Sequence, residues 1–270
     1  MQLSTIEYGF EFLTPCFSGT AEGRDAALSE LRVPPIRGHI RFWHRAAFGN
    51  PSANQVWGSA NGNEGQGSRV AIRISSPTPT SGRRFPLLPH HPQRPGLRPA
   101  LPDGSNAGIQ LQRFPGCTND DWDKANAAAR LWLIAGTLGY RATRAAGSVW
   151  PLGDWAPKTR EDLAGILAPL VARPSQPWGA ALAGEAAVLS WADLRKTASD
   201  TPAGPPNLFG GANPRKPSPV RFKVVRLAGS LRLLAMAPSR ESITHAEAAL
   251  NNKPDPRRWV SLGPWQRLWR

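Results

Sequence analysis

The spacing of apolar positions changes several times along this chain, and each change marks an element. Residues 2–15 alternate and carry β-branched and aromatic side chains, which predicts a strand ending at Thr14-Pro15. After a loop holding Gly19 and Gly23, Val33-Pro34-Pro35 leads into a helical pattern over 36–48, with a proline suited to the first turn. Gly49-Asn50-Pro51 stops it. Short β-like runs follow at 55–57 and 68–74, separated by the turn-rich stretch NGNEGQG. Thr118-Asn119-Asp120-Asp121 reads as a helix start, and Ala125, Ala128, Leu131, Trp132, Ala135 and Leu138 carry that helix to Gly139. A strand is expected over 148–152.

The second half predicts helices over 160–171 and 191–198, then a hairpin with arms 221–227 and 231–237 around Ala228-Gly229-Ser230. A short helix over 243–250 and a tryptophan-containing tail from Trp259 to Arg270 follow. Two stretches interrupt the periodic pattern. Residues 77–115 hold nine prolines with almost no periodicity, which predicts an irregular loop that orders on assembly. A second proline-rich break covers 202–219. No internal repeat of fixed short period is present. The first half fits β–α–β–β–α–β, the split βαβ pattern.

Composition narrows the class. A chain of 270 residues has a length prior near two domains and buries a real core, and 40% hydrophobic content with 11 Trp excludes wholesale disorder. Cys16 and Cys117 carry no C-x-x-C spacing, which excludes a disulfide scaffold and argues against a zinc module. No apolar run approaches the ~20 residues of a membrane span, and MQLSTIEYGFEF lacks the parts of a signal peptide. A cytoplasmic protein without a membrane partner is the expectation.

Lys and Arg number 33 against 19 acids, a net of +14, and 27 of the 33 are arginine. So basic a chain calls for a polyanion, and arginine forks match phosphates and stack on bases. On a helical wheel Arg37, Arg41 and Arg45 stand at i, i+4 and i+8 with His44 beside them, within an arc of about 100°. Ile36, Ile40, Trp43 and Ala47 form a separate apolar face. No acid lies within that helix, so an external anion is the expected compensation. A second cationic element is GYRATRAAGS at 139–148, where glycines leave N–H groups open and Arg141 and Arg144 supply two forks. Pro214-Arg215-Lys216-Pro217 and Arg83-Arg84 are weaker candidates in flexible stretches.

Catalysis finds little footing. Phosphate-loop, dinucleotide, metalloprotease and nucleophile-elbow motifs are absent, and no metal, cofactor or small-molecule substrate is expected. His90-His91 reads as a solvated dipeptide, and His39 points away from the arginine stripe as a structural residue. His44 is the alternative catalytic residue, a general acid or base for RNA self-cleavage through the 2′-hydroxyl. Trp43 and Trp132 fall at core spacing, whereas Trp265 and Trp269 are candidate interface residues.

Together these residues resemble a known family. Thr14-Pro15-Cys16-Phe17-Ser18-Gly19 is similar to the T-P-x-F-x-G that ends the first strand of RAMP-superfamily CRISPR proteins. The run from Glu30 to Ala46, ELRVPPIRGHIRFWHRA, resembles the E-L-R-x-P-S-I-R-G-x-x-R-F-W-x-R-A of the branch that forms the first subunit of the Cmr (type III-B) effector complex. Val56-Trp57-Gly58-Ser59, residues 139–148 and Ser218-Pro219-Val220-Arg221-Phe222-Lys223 are similar to three further motifs of that branch. Pro35, Thr20 and Ala145 depart from it, standing where Ser, Gly and Gly are usual.

The resemblance implies an α+β fold of two ferredoxin-like (RRM-like, βαββαβ) RAMP domains packed together, 1–155 and 156–270, with the proline-rich insertion at about 77–117 in the first. It implies a non-catalytic RNA-binding subunit that caps a crRNA-bound filament and helps capture single-stranded target RNA, alongside other Cmr-type effector subunits. In such complexes base pairing supplies sequence specificity and protein reads backbone and shape. The expected RNA-binding residues are Arg32, Arg37, Arg41, His44, Arg45, Gly139, Arg141, Arg144, Gly147 and Ser148. A metal-independent RAMP-type endoribonuclease is the second reading. A duplex-DNA binder ranks last, because no helix-turn-helix or zinc pattern is present.

Overall fold

The computed structural model describes residues 4–20, 27–61, 64–75, 79–91, 93–173, 177–184, 189–200, 206–212, 215–251 and 263–269. Strand β1 (Thr5–Phe12) alternates as its sequence dictates, burying Tyr8, Phe10 and Phe12 and turning Glu7 and Glu11 to the other face. Helix α1 (Val33–Phe48) starts on prolines, whose missing N–H costs nothing in a first turn, and buries Ile36, Ile40, Trp43 and Ala47. Helix α2 (Asn50–Trp57) follows at once, and β2 (Val70–Ile74) and β3 (Asn106–Arg113) come next. Helix α3 (Asn119–Ala135) opens with a reciprocal capping box between Thr118 and Asp121 and leads to β4 (Val149–Pro151). The strands form one antiparallel sheet in the order β4-β1-β3-β2. Helices α1 and α3 pack together, and Trp132 meets Phe10 edge-on at 5.4 Å between centroids.

The second half contains α4 (Arg160–Val171), β5 (Gly179–Gly184), α5 (Trp191–Ser199), α6 (Pro206–Phe209), β6 (Arg221–Leu227), β7 (Ser230–Ala237), α7 (Arg240–Asn251) and β8 (Gly263–Arg267). Its antiparallel sheet runs β6-β7-β5-β8. Read from the other edge, that is the strand order of the first sheet, and the element order from β5 to β8 likewise repeats that from β1 to β4.

The repeat extends to single atoms. Gly58 and Gly210 close α2 and α6 at φ 80° and 79°, and a Cβ on either would lie 2.6 Å from a carbonyl, that of Gln66 or Lys216. A small hairpin follows each glycine. Ser68 Oγ then donates to the carbonyl of Val70 at 2.7 Å, as Ser218 Oγ does to that of Val220 at 2.6 Å. About 150 residues separate the two copies, too far for a search over short periods to find.

Three expectations are corrected. Residues 55–57 are the end of α2, not a strand; Gly49 breaks the first helix, but Pro51 starts the next instead of ending the pattern. The helix expected to reach Leu138 stops at Ala135, where the Gly136 N–H caps back to Trp132. The window 77–115 is not irregular throughout. It holds β3, a core strand of the first sheet, and a hairpin of Arg84–Pro86 with Leu97–Pro99. Pro86 and Pro99 fall between the ladder bonds Leu87 N–H to Gly96 and Ala100 N–H to Arg83, at positions that ask no N–H of them. The hairpin sits on its own small cluster of Phe17, Phe85, Ala100 and Ala146.

A single apolar core runs through both halves, and polar bonds tie them further. Lys223 is fully buried and donates to the Leu133 carbonyl at 2.6 Å, 5.9 Å from the centre of the Trp150 ring. Burial holds its amine well below the ordinary lysine value. The unfolded chain therefore binds a proton there that the folded chain does not, and stability rises with pH below the ordinary lysine pKa. Lys223→Met is expected to flatten that rise by up to about 1.4 kcal/mol per pH unit, read from urea midpoints between about pH 8 and about pH 10. Equal slopes for the two proteins would contradict this.

A candidate nucleic-acid interface

The arginine stripe of α1 faces α2 before it faces solvent. Arg37 Nη2 donates to the Trp57 carbonyl, and Arg41 Nη2 donates to Asn54 Oδ1 at 2.7 Å. Part of the compensation expected from an external anion thus comes from the neighbouring helix. Arg45 is exposed. It borders a cleft of about 210 Å³ between the halves, with Phe42 and Trp178 in its walls and Arg173 across it.

His44 is 0% exposed. Its Nδ1 accepts from the Trp57 indole N–H at 3.0 Å, so the ring proton sits on Nε2, which lies 2.9 Å from Ser52 Oγ. Burial chiefly, with Lys124 adding and Asp121 opposing, pulls its pKa down to about 4. A neutral ring with both nitrogens engaged and no open face joins α1 to α2. The placement gives it no route to a 2′-hydroxyl or to a phosphate. His39, expected to be structural, is held down to about 4 by burial and then by Arg221.

The glycine-rich loop is a strap pressed on residues 14–18. Gly139 and Gly147 have φ 87° and 60°, and a Cβ on them would lie 2.5 Å from the Phe17 carbonyl and 2.0 Å from the Leu138 carbonyl. Arg141 and Ala145 also have positive φ, at 60° and 59°, a conformation that side chains rarely adopt. Thr14 Oγ1 donates to the Ala145 carbonyl at 2.7 Å and accepts from Ser148 N–H at 2.9 Å. Ser148 Oγ donates to the Ala145 carbonyl and accepts from Val224 N–H, both at 3.0 Å. Gly139, Gly147 and Ser148 therefore build the loop. On the far side of the strap, Ser29 Oγ binds the backbone of Ser18 and Cys16. Arg32, at the N-cap of α1, pairs with Glu30, its Nε 3.6 Å from the carboxylate.

The loop's two forks part company. Arg144 is 4% exposed, donating to the Phe209 carbonyl and to Ser218 Oγ. Burial, then Arg141, brings it down to about 10. It fastens the loop to the second half. Arg141 is partly exposed, with Nε lacking a partner. Tyr140 beside it is 49% exposed.

Sequence reasoning missed Arg195. It is 0% exposed and donates to the carbonyls of Pro86 and Leu87 at 2.6 and 2.9 Å, with its guanidinium 4.8 Å from the centre of the Phe17 ring. Among the described residues no carboxylate pairs with Arg141, Arg144 or Arg195. Arg83 lies over the Phe85 ring and Arg84 reaches the Leu97 carbonyl. Arg215 and Lys216 form an arm of a small hairpin, while Pro214 lies outside the described residues. Trp265 and Trp269 pack against the core, and Trp269 lies 5.7 Å from both Arg240 and Arg267. No His, Cys, Asp and Glu grouping fit for a metal occurs among the described residues, and no described helix is long and apolar enough to cross a membrane.

A doubled β–α–β–β–α–β arrangement with a glycine-rich strap before the fourth strand of its first copy defines a class, and the sequence agrees with it. Residues 10–150 match the RAMP superfamily, and the chain belongs to that superfamily. Within it the fold is similar to that of Cmr1 from Pyrococcus furiosus in its apo form: TM-score 0.62, 17% identity, covering 100% of this chain and 99% of that one. It is also similar to a chain in the type III-B Cmr-beta complex bound to cognate target RNA and AMPPnP in the presence of ssDNA. That likeness has a TM-score of 0.52 at 10% identity and covers 92% of this chain and 98% of that one. Sequence comparison with curated proteins gives no match.

Proposed function

We propose that this chain is a non-catalytic RNA-binding subunit of a type III CRISPR effector of the Cmr kind. It would be built as two ferredoxin-like domains, 1–155 and 156–270, with the proline-rich segment as an insertion in the first. The repeated strand order supports the two-domain reading, and the likeness to Cmr1 over the whole chain supports the branch. The observation that carries the RNA reading is the excess positive charge at the glycine-rich strap, where no carboxylate pairs with Arg141, Arg144 or Arg195 among the described residues. Arg141 lies on the strap, and Arg32 at the N-cap of α1 precedes Arg37, Arg41 and Arg45 along that helix. A polyanion is the partner that such a surface lacks. The relative solved with cognate target RNA supports single-stranded target RNA as that polyanion, with crRNA as its companion. Gly139, Gly147, Arg144 and Ser148 act by holding the strap, and His44 by bracing α1. The complex's other subunits would supply the remaining contacts, with this chain capping the filament in antiviral defence.

Tyr140 extends the reading. An exposed ring next to a phosphate-binding arginine is a stacking platform, and stacking contributes about 1–3 kcal/mol per base. Tyr140→Ala is expected to weaken binding of labelled single-stranded RNA about fivefold or more while leaving its salt dependence unchanged. A change in salt slope without loss of affinity would contradict a stacking role.

A further inference from the structure

The proline-rich hairpin carries two histidines to the glycine-rich strap. Within its turn His90 and His91 lie with ring centroids 4.1 Å apart. Arg195 pins that turn through the carbonyls of Pro86 and Leu87. The charged groups acting on His90 are His91 of the same turn, Arg141 and Arg144 of the strap, and Arg195 of α5. Every one of them is a base. His90 Nδ1, Arg141 Nε and Arg195 Nε are buried with no hydrogen-bond partner. Buried guanidinium N–H groups left without a partner cost free energy that an anion would recover, and a protonated imidazole at His90 would offer that anion a further donor. Two imidazoles without a third ligand do not make a metal site.

We propose that His90, His91 and Arg141, backed by Arg195, form a cradle for one backbone phosphate of bound RNA, and that filling it takes up a proton. This rests on the RNA-binding reading above and adds to it a residue set from the insertion. In the empty cradle burial first, then the four neighbouring bases, holds His90 down to about 4. A phosphate reverses the sign of the nearest charge and raises that value. Binding then consumes a proton between the two values, so affinity rises as pH falls through the higher one.

The test uses the full chain and a labelled single-stranded RNA in EDTA at fixed salt, from about pH 8 down to about pH 5.5, with wild type and His90→Gln/His91→Gln compared. Wild type is expected to bind about three- to tenfold tighter at the acid end, where the double variant gains under about twofold. Should the double variant prove unstable by thermal melt, His91→Gln alone, at an exposed position, is expected to lose part of the acid gain. Equal pH profiles for wild type and variant overturn the cradle and leave RNA binding standing. RNA bound by neither protein at any pH overturns the RNA-binding reading, and the cradle with it.

Discussion

Gly147→Ala is expected to cost about 3–5 kcal/mol, among the largest effects of any single methyl group in this protein. The backbone there has φ 60°, and the added carbon would lie 2.0 Å from the Leu138 carbonyl oxygen and 3.2 Å from Cys16 Sγ. The first term is the left-handed strain on a residue with a Cβ, about 1–2 kcal/mol. The second is overlap with backbone, which cannot turn aside as a side chain can. The strap would have to lift from residues 14–18, breaking the bonds of Gly147 N–H to the Pro15 carbonyl and of Leu138 N–H to Gly147 itself. Gly116→Ala is the matched control: φ is 82° and nothing lies within 4 Å, so only the strain remains. Urea midpoints of the two variants should differ widely. Similar midpoints would mean that the strap is looser than its contacts indicate.

Charge reversal on α1 should have the largest effect on binding. Arg37→Glu/Arg41→Glu removes two cations and adds two anions on the stripe, and RNA affinity is expected to fall at least about 100-fold near physiological salt. The slope of log affinity against log salt should drop by about 1.4, since each phosphate contact on a single strand contributes about 0.7. Because both arginines also hold α2, thermal melts must accompany the titration. Arg45→Glu, at an exposed site, should lower the slope by about 0.7 with the fold untouched. Unchanged affinity in an intact double variant would remove α1 from the interface.

How much of this was legible in the sequence follows from how local each signal is. The first strand, the first long helix, the α3 capping box, the helix over 160–171 and the hairpin about Gly229 depend on neighbours a few residues apart, and the structure carries each of them. Helix α2 was lost because three residues, 55–57, are too few to show a period. Strand β3 was hidden inside a window judged by its prolines, although residues 106–113 contain none. The wheel placed the arginine stripe on one face of α1 correctly, but could not show that α2 folds across it and swallows His44. Arg195 is the clearest limit. Within WADLRKTAS it reads as a solvent-facing helical cation, and what buries it is a pair of carbonyls more than a hundred residues earlier. Of the His90-His91 pair, expected to be solvated, His91 is exposed and His90 is half-buried.

Holding an RNA backbone without cutting it is the role proposed for this surface. Its most direct test mixes the purified chain with labelled single-stranded RNA in EDTA across a salt series, reading binding and strand integrity from one tube. Intact RNA is expected, with a log affinity that falls linearly with log salt, at about 0.7 per phosphate held. Absence of binding, or binding indifferent to salt, would contradict it. Specific cleavage in EDTA, abolished by His44→Ala, would contradict it differently, by making this chain a nuclease whose buried imidazole must open to act.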